Sequence, residues 1–237
     1  MKIGIVIAIK RELQAFLAQG GEIETVTVGR REAYHVTMGA HEVYAVLSGW
    51  GEIDAASATQ FLITAFDVEA VMNFGVAGAI RRGLEVKDLF AVKAAVNYDF
   101  DTSTIDPVAP HQYGEYEDEK IPLDPGFTAL AKSINPELRE TVVASGERFV
   151  EDPADKDALA ALGCDICDME IAAIARVAER NGVRAFSVKC ISDTYDGDGG
   201  DFNKNVTAGA EKAFALLREL LLRIDDTAVL CYSERQK

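Results

Sequence analysis

Apolar runs of strand length recur along the chain and alternate with segments of helical periodicity. The runs are nearly continuous in β-branched and aliphatic residues, a pattern typical of strands that are covered on both faces. They predict strands at 3–9, 43–48, 70–74, 88–96, 142–145, 164–169 and 184–191.

Capping signals mark the ends of the predicted helices. Asp54 is expected to cap a helix of small residues that reaches about Phe66, while Asp124-Pro125 and Asp152-Pro153 each place an acid before a proline at a first helical position. The helix after Asp152 is expected to stop near Gly163. Further helices are predicted over 170–180, ending at Asn181-Gly182, and over about 208–224.

Strands that alternate with helices favour the α/β class. The order of elements predicts one domain over residues 1–237, a three-layer α/β/α sandwich around a central mixed β-sheet. Segment 98–123 is the least patterned part of the chain and is interpreted as a long loop, either functional or a plain surface connection. The tail after Asp226 is expected to be peripheral.

Composition narrows the classes of function. The net charge is −15, from 39 acidic and 24 basic residues, which argues against a nucleic-acid backbone or an anionic membrane as partner. The apolar N-terminal run fits a buried strand better than a signal peptide, and no run reaches the length of a membrane span. A cytoplasmic protein is therefore expected.

Cys164 and Cys167 form a CxxC pair, which could be a redox pair or half of a metal site. The three histidines lie far away in sequence, and there is no second CxxC. We therefore favour buried thiols over a redox pair or a metal site.

Polar residues and glycines follow several predicted strands, at the edge where open α/β sheets bind ligands. They are Glu12, the segment Gly75-Val76-Ala77-Gly78, the pair Met169-Glu170 and the pair Ser192-Asp193. Each acid could instead be a first-turn or capping residue, and the glycine segment, interpreted as a turn, could serve packing alone. Their shared position at the ends of predicted strands adds weight to the functional interpretation.

Five segments together resemble the 5′-methylthioadenosine/S-adenosylhomocysteine nucleosidases of the purine and uridine nucleoside phosphorylase superfamily. The segments are Met1 to Glu12, Ser48-Gly49-Trp50-Gly51, Asn73 to Gly78, Ser145-Gly146-Glu147-Arg148-Phe149, and Asp168-Met169-Glu170 followed by Ile191-Ser192-Asp193. The resemblance covers about residues 1 to 205. It implies a nucleoside phosphorylase-like fold, hydrolysis of a purine nucleoside without a cofactor, and a homodimer.

The resemblance also implies roles for single residues. The glutamate matching Glu12 activates water, and the aspartate matching Asp193 protonates purine N7 with support from the serine matching Ser192. The residues matching Met169 and Glu170 hold the ribose. Phe149 matches an aromatic that stacks on the base, and the backbone of the next residue, Val150, matches a group that binds the purine edge. Ala77, Gly78 and Trp50 fall among the remaining substrate-binding positions.

Two departures from that family concern the substrate pocket, near the sugar or base and near the 5′ substituent. Val76 replaces the usual serine or threonine, and Trp50 replaces a smaller aliphatic residue near the 5′ substituent. Segment 98–123, which in the family helps to close the site across a dimer interface, is longer here. The base, adenine or 6-oxopurine, and the 5′ group stay open.

Three alternatives remain beside hydrolysis. A phosphorylase of the same superfamily would hold phosphate at the positions of Asn73 and Val76, which are unsuited to a dianion, unless Arg11, Arg30 or Arg31 substitutes. A non-catalytic nucleoside sensor is expected to lose Glu12 or Asp193. A general nucleotide-binding domain is expected to carry a phosphate loop, and the glycine segment has neither the GxGxxG spacing nor a Walker lysine.

Overall fold

The computed structural model describes residues 1–224, which form ten strands and six helices. In chain order they are β1 (Lys2–Ile7), α1 (Lys10–Gln19), β2 (Glu24–Val28), β3 (Arg31–Met38), β4 (His41–Leu47), α2 (Glu52–Phe66), β5 (Ala70–Ala79), β6 (Leu89–Asn97), β7 (Ile121–Pro122), α3 (Pro125–Ile134), β8 (Arg139–Ser145), α4 (Pro153–Ala161), β9 (Ile166–Asp168), α5 (Ile171–Arg180), β10 (Arg184–Asp193) and α6 (Gly199–Arg223).

All ten strands belong to one mixed sheet. Its order is β10-β6-β8-β9-β5-β1-β4-β3-β2, with β7 beside β6. An additional parallel pairing joins β10 to β5, so that β10, β6, β8, β9 and β5 close into a ring. Strands β5 and β10 therefore lie side by side, and Asp193 at the end of β10 is in register with Gly78 of β5.

Helices cover both faces of the sheet. Helices α1, α3 and α6 pack on one face, and α2 and α5 pack on the other. Strand β1 shows the alternation that this requires, since Ile3, Ile5 and Ile7 belong to the first core while Val6 belongs to the second. The predicted three-layer α/β/α architecture with a mixed sheet is confirmed.

The cap predictions had mixed outcomes. Asp124 and Asp152 are the N-caps of α3 and α4, each accepting a hydrogen bond from a helix N–H and each followed by proline. Asn181 is the C-cap of α5, as predicted. Asp54, in contrast, lies in the first turn of α2, which begins at Glu52 after Gly51.

Several element boundaries differ from the prediction, and some elements were missed. Strand β5 continues to Ala79, so the segment from Gly75 to Gly78 is strand and the predicted turn is wrong. Strand β9 covers only 166–168 of the predicted 164–169, and α6 begins at Gly199 instead of about 208. The helix α1 and the strands β2, β3 and β7 had no prediction.

Segment 98–123 forms turns until β7, as expected of a loop. Its aromatic rings pack on α5: Tyr113 stacks on Phe100 with ring centroids 3.9 Å apart, and the Arg176 guanidinium lies 4.3 Å from the Tyr113 centroid. Within residues 1–224 no helix is long and apolar enough to cross a membrane. The predicted peripheral tail and Cys231 lie outside the described residues.

Candidate active site

A cavity opens at the carboxyl ends of β1, β5, β9 and β10. This is the edge of the sheet at which the sequence predicts the site residues. The lining residues are Ala8, Ile9, Glu12, Trp50, Val76, Ala77, Gly78, Phe149, Cys167, Asp168, Met169, Glu170, Ser192, Asp193 and Phe202. Val150 lines a smaller cavity that shares Gly78, Phe149, Met169 and Asp193 with the first. Every residue predicted for the site is therefore brought together.

Glu12 is held in place by backbone donors. Its Oε1 accepts from the Val76 N–H at 3.1 Å and its Oε2 accepts from the Ile9 N–H at 3.3 Å. Gly75 permits this approach, because a Cβ there would collide with the carboxylate. Burial raises the pKa of Glu12, while the charge of Lys189 and the backbone donors oppose that shift. Each carboxylate oxygen retains lone-pair capacity for a water molecule.

Glu170 is the second buried carboxylate of the cavity. Its Oε1 accepts from the Gly51 N–H at 3.2 Å and its Oε2 from the Met169 N–H at 3.3 Å. Burial raises the pKa of this carboxyl, and the negative charge of Asp168 raises it further. Glu170 immediately precedes α5, so the strand-to-helix turn fixes its position.

A buried ion pair lies beside these carboxylates. Lys189 Nζ is 2.7 Å from Asp168 Oδ2, and the two side chains are 2% and 1% exposed. Burial lowers the pKa of Lys189, but the charges of Asp168, Glu170 and Glu12 outweigh burial and raise it. Lys189 is thus the counter-charge that allows three carboxylates to be buried together.

Asp193 is 1% exposed at the end of β10. Ser192 Oγ donates to its Oδ1 at 2.7 Å, and Asn205 Nδ2 donates to the Ser192 carbonyl at 2.8 Å. Burial raises the pKa of Asp193 and the Ser192 hydrogen bond opposes that shift. A Cβ at Gly78 would lie 2.8 Å from Asp193 Oδ2, so glycine there keeps the space beside the acid open.

Three aromatic rings form the mouth of the cavity. The Phe202 ring lies 5.5 Å from Phe149 and 6.1 Å from Trp50, measured between ring centroids. Trp50 is 52% exposed and Phe149 is 42% exposed, which is unusual for such large apolar side chains. Trp50 also lines an open groove on its other side, together with Lys10, Arg11 and Ser48. The indole therefore separates the cavity from that groove.

The positions that a phosphorylase would use for phosphate are occupied differently. Asn73 is buried away from the cavity, where its Nδ2 donates to the Val6 carbonyl at 3.0 Å and its Oδ1 accepts from Ser187 Oγ at 2.8 Å. Val76 belongs to a small apolar cluster with Phe202 and Val206. Of the residues that the structure describes, no lysine or arginine lines the cavity.

The CxxC pair has no chemical role that the structure supports. Cys164, Cys167 and Cys190 are buried free thiols, as predicted. Burial raises the pKa of Cys167 to about 12, so its thiol stays neutral beside Asp193. No cluster of three or more potential metal ligands occurs within residues 1–224.

Sequence reasoning missed Lys189 and Phe202. Lys189 had a signal, because a lysine inside an otherwise apolar strand needs a buried partner. Phe202 lies in the first turns of α6, a stretch that the helix prediction left out. The Asp198 side chain, which accepts from the Gly200 and Asp201 N–H groups, was the capping signal for that earlier start.

The family model described as the phosphorylase superfamily matches residues 2–222. The chain belongs to the phosphorylase superfamily.

Its relatives in that superfamily include nucleosidases. The aminodeoxyfutalosine nucleosidase of Helicobacter pylori is 28% identical over 229 residues, covering 93% of this chain and 98% of that protein. The 5′-methylthioadenosine/S-adenosylhomocysteine nucleosidase of Actinobacillus succinogenes is 27% identical over 241 residues. This match covers 95% of this chain and 100% of that protein.

Solved structures of this kind share the fold over nearly the whole chain. The Helicobacter pylori 5′-methylthioadenosine/S-adenosyl homocysteine nucleosidase superposes with a TM-score of 0.88 at 27% identity, covering 94% of this chain and 99% of that chain. The Streptococcus pyogenes S-adenosylhomocysteine nucleosidase, in complex with 5-methylthiotubericidin, superposes with a TM-score of 0.88 at 26% sequence identity. The match covers 95% of this chain and 98% of that chain. The nucleoside phosphorylase-like fold and the enzyme class predicted from the sequence, an N-glycosyl hydrolase, are confirmed.

Proposed function

We propose that this protein hydrolyses the N-glycosidic bond of a purine nucleoside of the 5′-methylthioadenosine/S-adenosylhomocysteine type or a close relative. The observation that carries the proposal is the grouping of Glu12, Glu170 and Asp193 around one cavity whose lining, within the described residues, contains no basic side chain. Carboxylates suffice for this reaction, because it needs proton transfer and stabilisation of an oxocarbenium-like sugar.

Asp193 is proposed as the general acid. A purine anion is a poor leaving group, and a proton delivered to N7 neutralises it as the bond to ribose breaks. An ordinary aspartate has a pKa near 4 and is charged at neutral pH. Burial raises the pKa of Asp193, which favours the protonated form that can donate, and Ser192 orients the carboxyl.

Glu12 is proposed to activate the attacking water. It must be a carboxylate to accept a proton, and the charge of Lys189 together with two backbone donors favours that form against burial. Glu170 is proposed to accept hydrogen bonds from the ribose 2′ and 3′ hydroxyls beside Met169. Glu12 lies in the first turn of α1 and Glu170 lies directly before α5, and both line the same cavity.

The base is proposed to lie between Asp193 and the mouth aromatics. Phe149 offers a half-exposed ring face for stacking on the purine, in a geometry that aromatic pairs favour. Val150 follows Phe149 and lines the adjoining space beside Gly78 and Asp193, so its backbone is proposed to bind the purine edge.

Product analysis with and without phosphate tests the reaction type. Hydrolysis is expected to run at the same rate in phosphate-free buffer and to release free base with a ribose or 5′-substituted ribose. Chromatography and mass spectrometry of the products provide the measurement, with methylthioadenosine, S-adenosylhomocysteine, adenosine and inosine as substrates. Formation of a ribose 1-phosphate would show that the enzyme is a phosphorylase.

We further propose a homodimer of single-domain chains that works in the cytoplasm in methionine salvage. The family resemblance supports the dimer, because the matching segment of that family helps to close the site across a dimer interface, and no residue of segment 98–123 lines the main cavity of its own chain. Light scattering at micromolar concentration is expected to give the mass of two chains. A fully active monomer would refute the dimer.

A further inference from the structure

Lys156 of α4 is buried without a carboxylate partner. Its side chain is 0% exposed, and within residues 1–224 no acidic group lies in ion-pair contact with it. Its Nζ donates instead to three backbone carbonyls, those of Tyr195 at 2.9 Å and of Thr194 and Gly197 at 3.3 Å. A buried charge costs stability unless it is well paired, so this lysine requires an explanation.

The three carbonyls belong to one short turn that follows Asp193 directly. The Gly197 N–H closes the turn onto the Thr194 carbonyl at 2.9 Å, and α6 begins two residues later. The backbone before Asp193 is fixed separately, by the bond from Asn205 to Ser192. Strand β10 ends at Asp193 and fixes the chain before it, whereas Lys156 fixes the chain after it.

Helix α4 has further contacts with the same turn. The Tyr195 hydroxyl donates to Asp157 Oδ1 at 2.8 Å, and the Tyr195 ring lies 5.8 Å from Lys156 Nζ. Just before α4, Glu151 Oε1 accepts from the Gly199 N–H at 2.6 Å. The segment that carries Phe149 is thereby bonded to the segment that follows Asp193. Helix α4 and the residue before it therefore connect the two segments between which the purine base is proposed to bind.

The charged groups that face Asp193 come from three directions. Lys156 in α4 lowers the pKa of Asp193, while Asp201 in α6 and Glu151 before α4 raise it. From β9, the Cys167 thiol is neutral because burial raises its pKa to about 12. Burial of Asp193 is the largest influence and raises the pKa. Lys156 is thus the cation that opposes burial and the two acids.

We propose that Lys156 is a positioning residue for Asp193, which holds the turn after the acid through three carbonyls and places a positive charge beside it. The proposal rests on the proposed role of Asp193 as general acid. In this role Lys156 affects the transfer of the proton to the purine without touching the substrate. A merely structural lysine would affect stability and leave the pH dependence of catalysis unchanged.

Lys156→Met tests both parts of the proposal. Loss of the positive charge favours protonated Asp193, so the basic limb of the kcat/KM profile should move to higher pH, by about 0.5–1 unit. Misplacement of the acid should lower kcat by about tenfold to 10²-fold. Lys132→Met, on the exposed face of α3, is the matched control and should change neither quantity. The proposal would be overturned if Lys156→Met folds and keeps both the wild-type kcat and the wild-type position of the basic limb of kcat/KM.

Lys156→Arg decides the question if the methionine variant does not fold. Arginine retains the charge and the donors, so a folded Lys156→Arg should keep the basic limb at its wild-type position and lose less than tenfold in kcat. A displaced limb in that variant would overturn the proposal. Asp193→Asn separates the two hypotheses: if that variant stays active, the proposed general acid is wrong, whereas if it is inactive and Lys156→Met is normal, only the role of Lys156 fails.

Discussion

The interior and the mouth of the cavity are built in opposite ways. In the interior, Glu12, Glu170 and Asp193 are 4%, 6% and 1% exposed, and each carboxylate already accepts hydrogen bonds from the protein. At the mouth, Trp50 and Phe149 are 52% and 42% exposed. The interior buries ionisable side chains, whereas the mouth exposes apolar surface.

This difference separates chemistry from recognition. Acids that are fixed by backbone N–H groups need no rearrangement when a substrate arrives, which is how buried electrostatic sites stabilise transition states. Exposed aromatic rings gain free energy only when a ligand or another chain covers them. We expect interior substitutions to change the rate by orders of magnitude and mouth substitutions to change which substrate is preferred.

The largest effect is expected for Asp193→Asn. The amide cannot deliver a proton to N7, so kcat should fall by about 10²–10⁴-fold, the usual contribution of a general acid. The fold should persist, because asparagine can still accept from Ser192. Asp67→Asn, at the exposed C-cap of α2, is the control and should keep full activity with the same circular dichroism spectrum. Near-normal turnover in Asp193→Asn would remove this residue from the mechanism.

Glu12→Gln should have the next largest effect, about 10²-fold in kcat, because glutamine cannot take the proton of water. The pH profile gives an independent measurement. Burial raises the pKa of Glu12, and only its charged form acts as a base, so kcat/KM should fall as pH drops through that raised pKa. The acidic limb should be absent from Glu12→Gln and present in Glu32→Gln, an exposed control on β3. An unchanged acidic limb in Glu12→Gln would assign it to another group.

The same contrast explains how much the sequence could predict. Strands buried on both faces and proline-marked caps such as Asp124 and Asp152 have strong local signals, and these predictions are confirmed. The β2–β3 hairpin was missed because β2 lies at the sheet edge and is largely exposed, so it lacks the apolar run of the central strands. The turn predicted at Gly75 was wrong because glycine there makes room for a carboxylate within a continuous strand.

For the site, acids that follow strands could be found from sequence order, because parallel strands bring their carboxyl ends to one edge. The pairing of these acids with their counter-charges could not be found in this way, even though a lysine within the apolar strand β10 signals that some buried partner exists. Lys189 meets Asp168 across a gap of 21 positions that no periodicity encodes, and Lys156 lies in a polar run that is typical of a solvent-exposed helix face. Partners of buried charges are set by packing between elements, which only the folded chain defines.

The smallest effect on activity is expected at Trp50, where it tests directly whether the mouth of the cavity selects the substrate. Its indole lines both the cavity and the open groove beside Lys10 and Arg11, so we expect it to limit the space available to a long 5′ substituent. Wild-type protein should therefore prefer small 5′ groups such as hydroxyl or methylthio. Trp50→Ile should join the cavity to the groove and raise kcat/KM for S-adenosylhomocysteine relative to methylthioadenosine by about tenfold, the lower end of what a methylene-sized change in a pocket is worth.

Ile53→Ala removes a neighbouring side chain that is 78% exposed and does not line the cavity, so it should leave that ratio unchanged. If wild-type protein already cleaves both substrates equally well and Trp50→Ile alters neither rate, the indole is structural, and the mouth does not select the 5′ group.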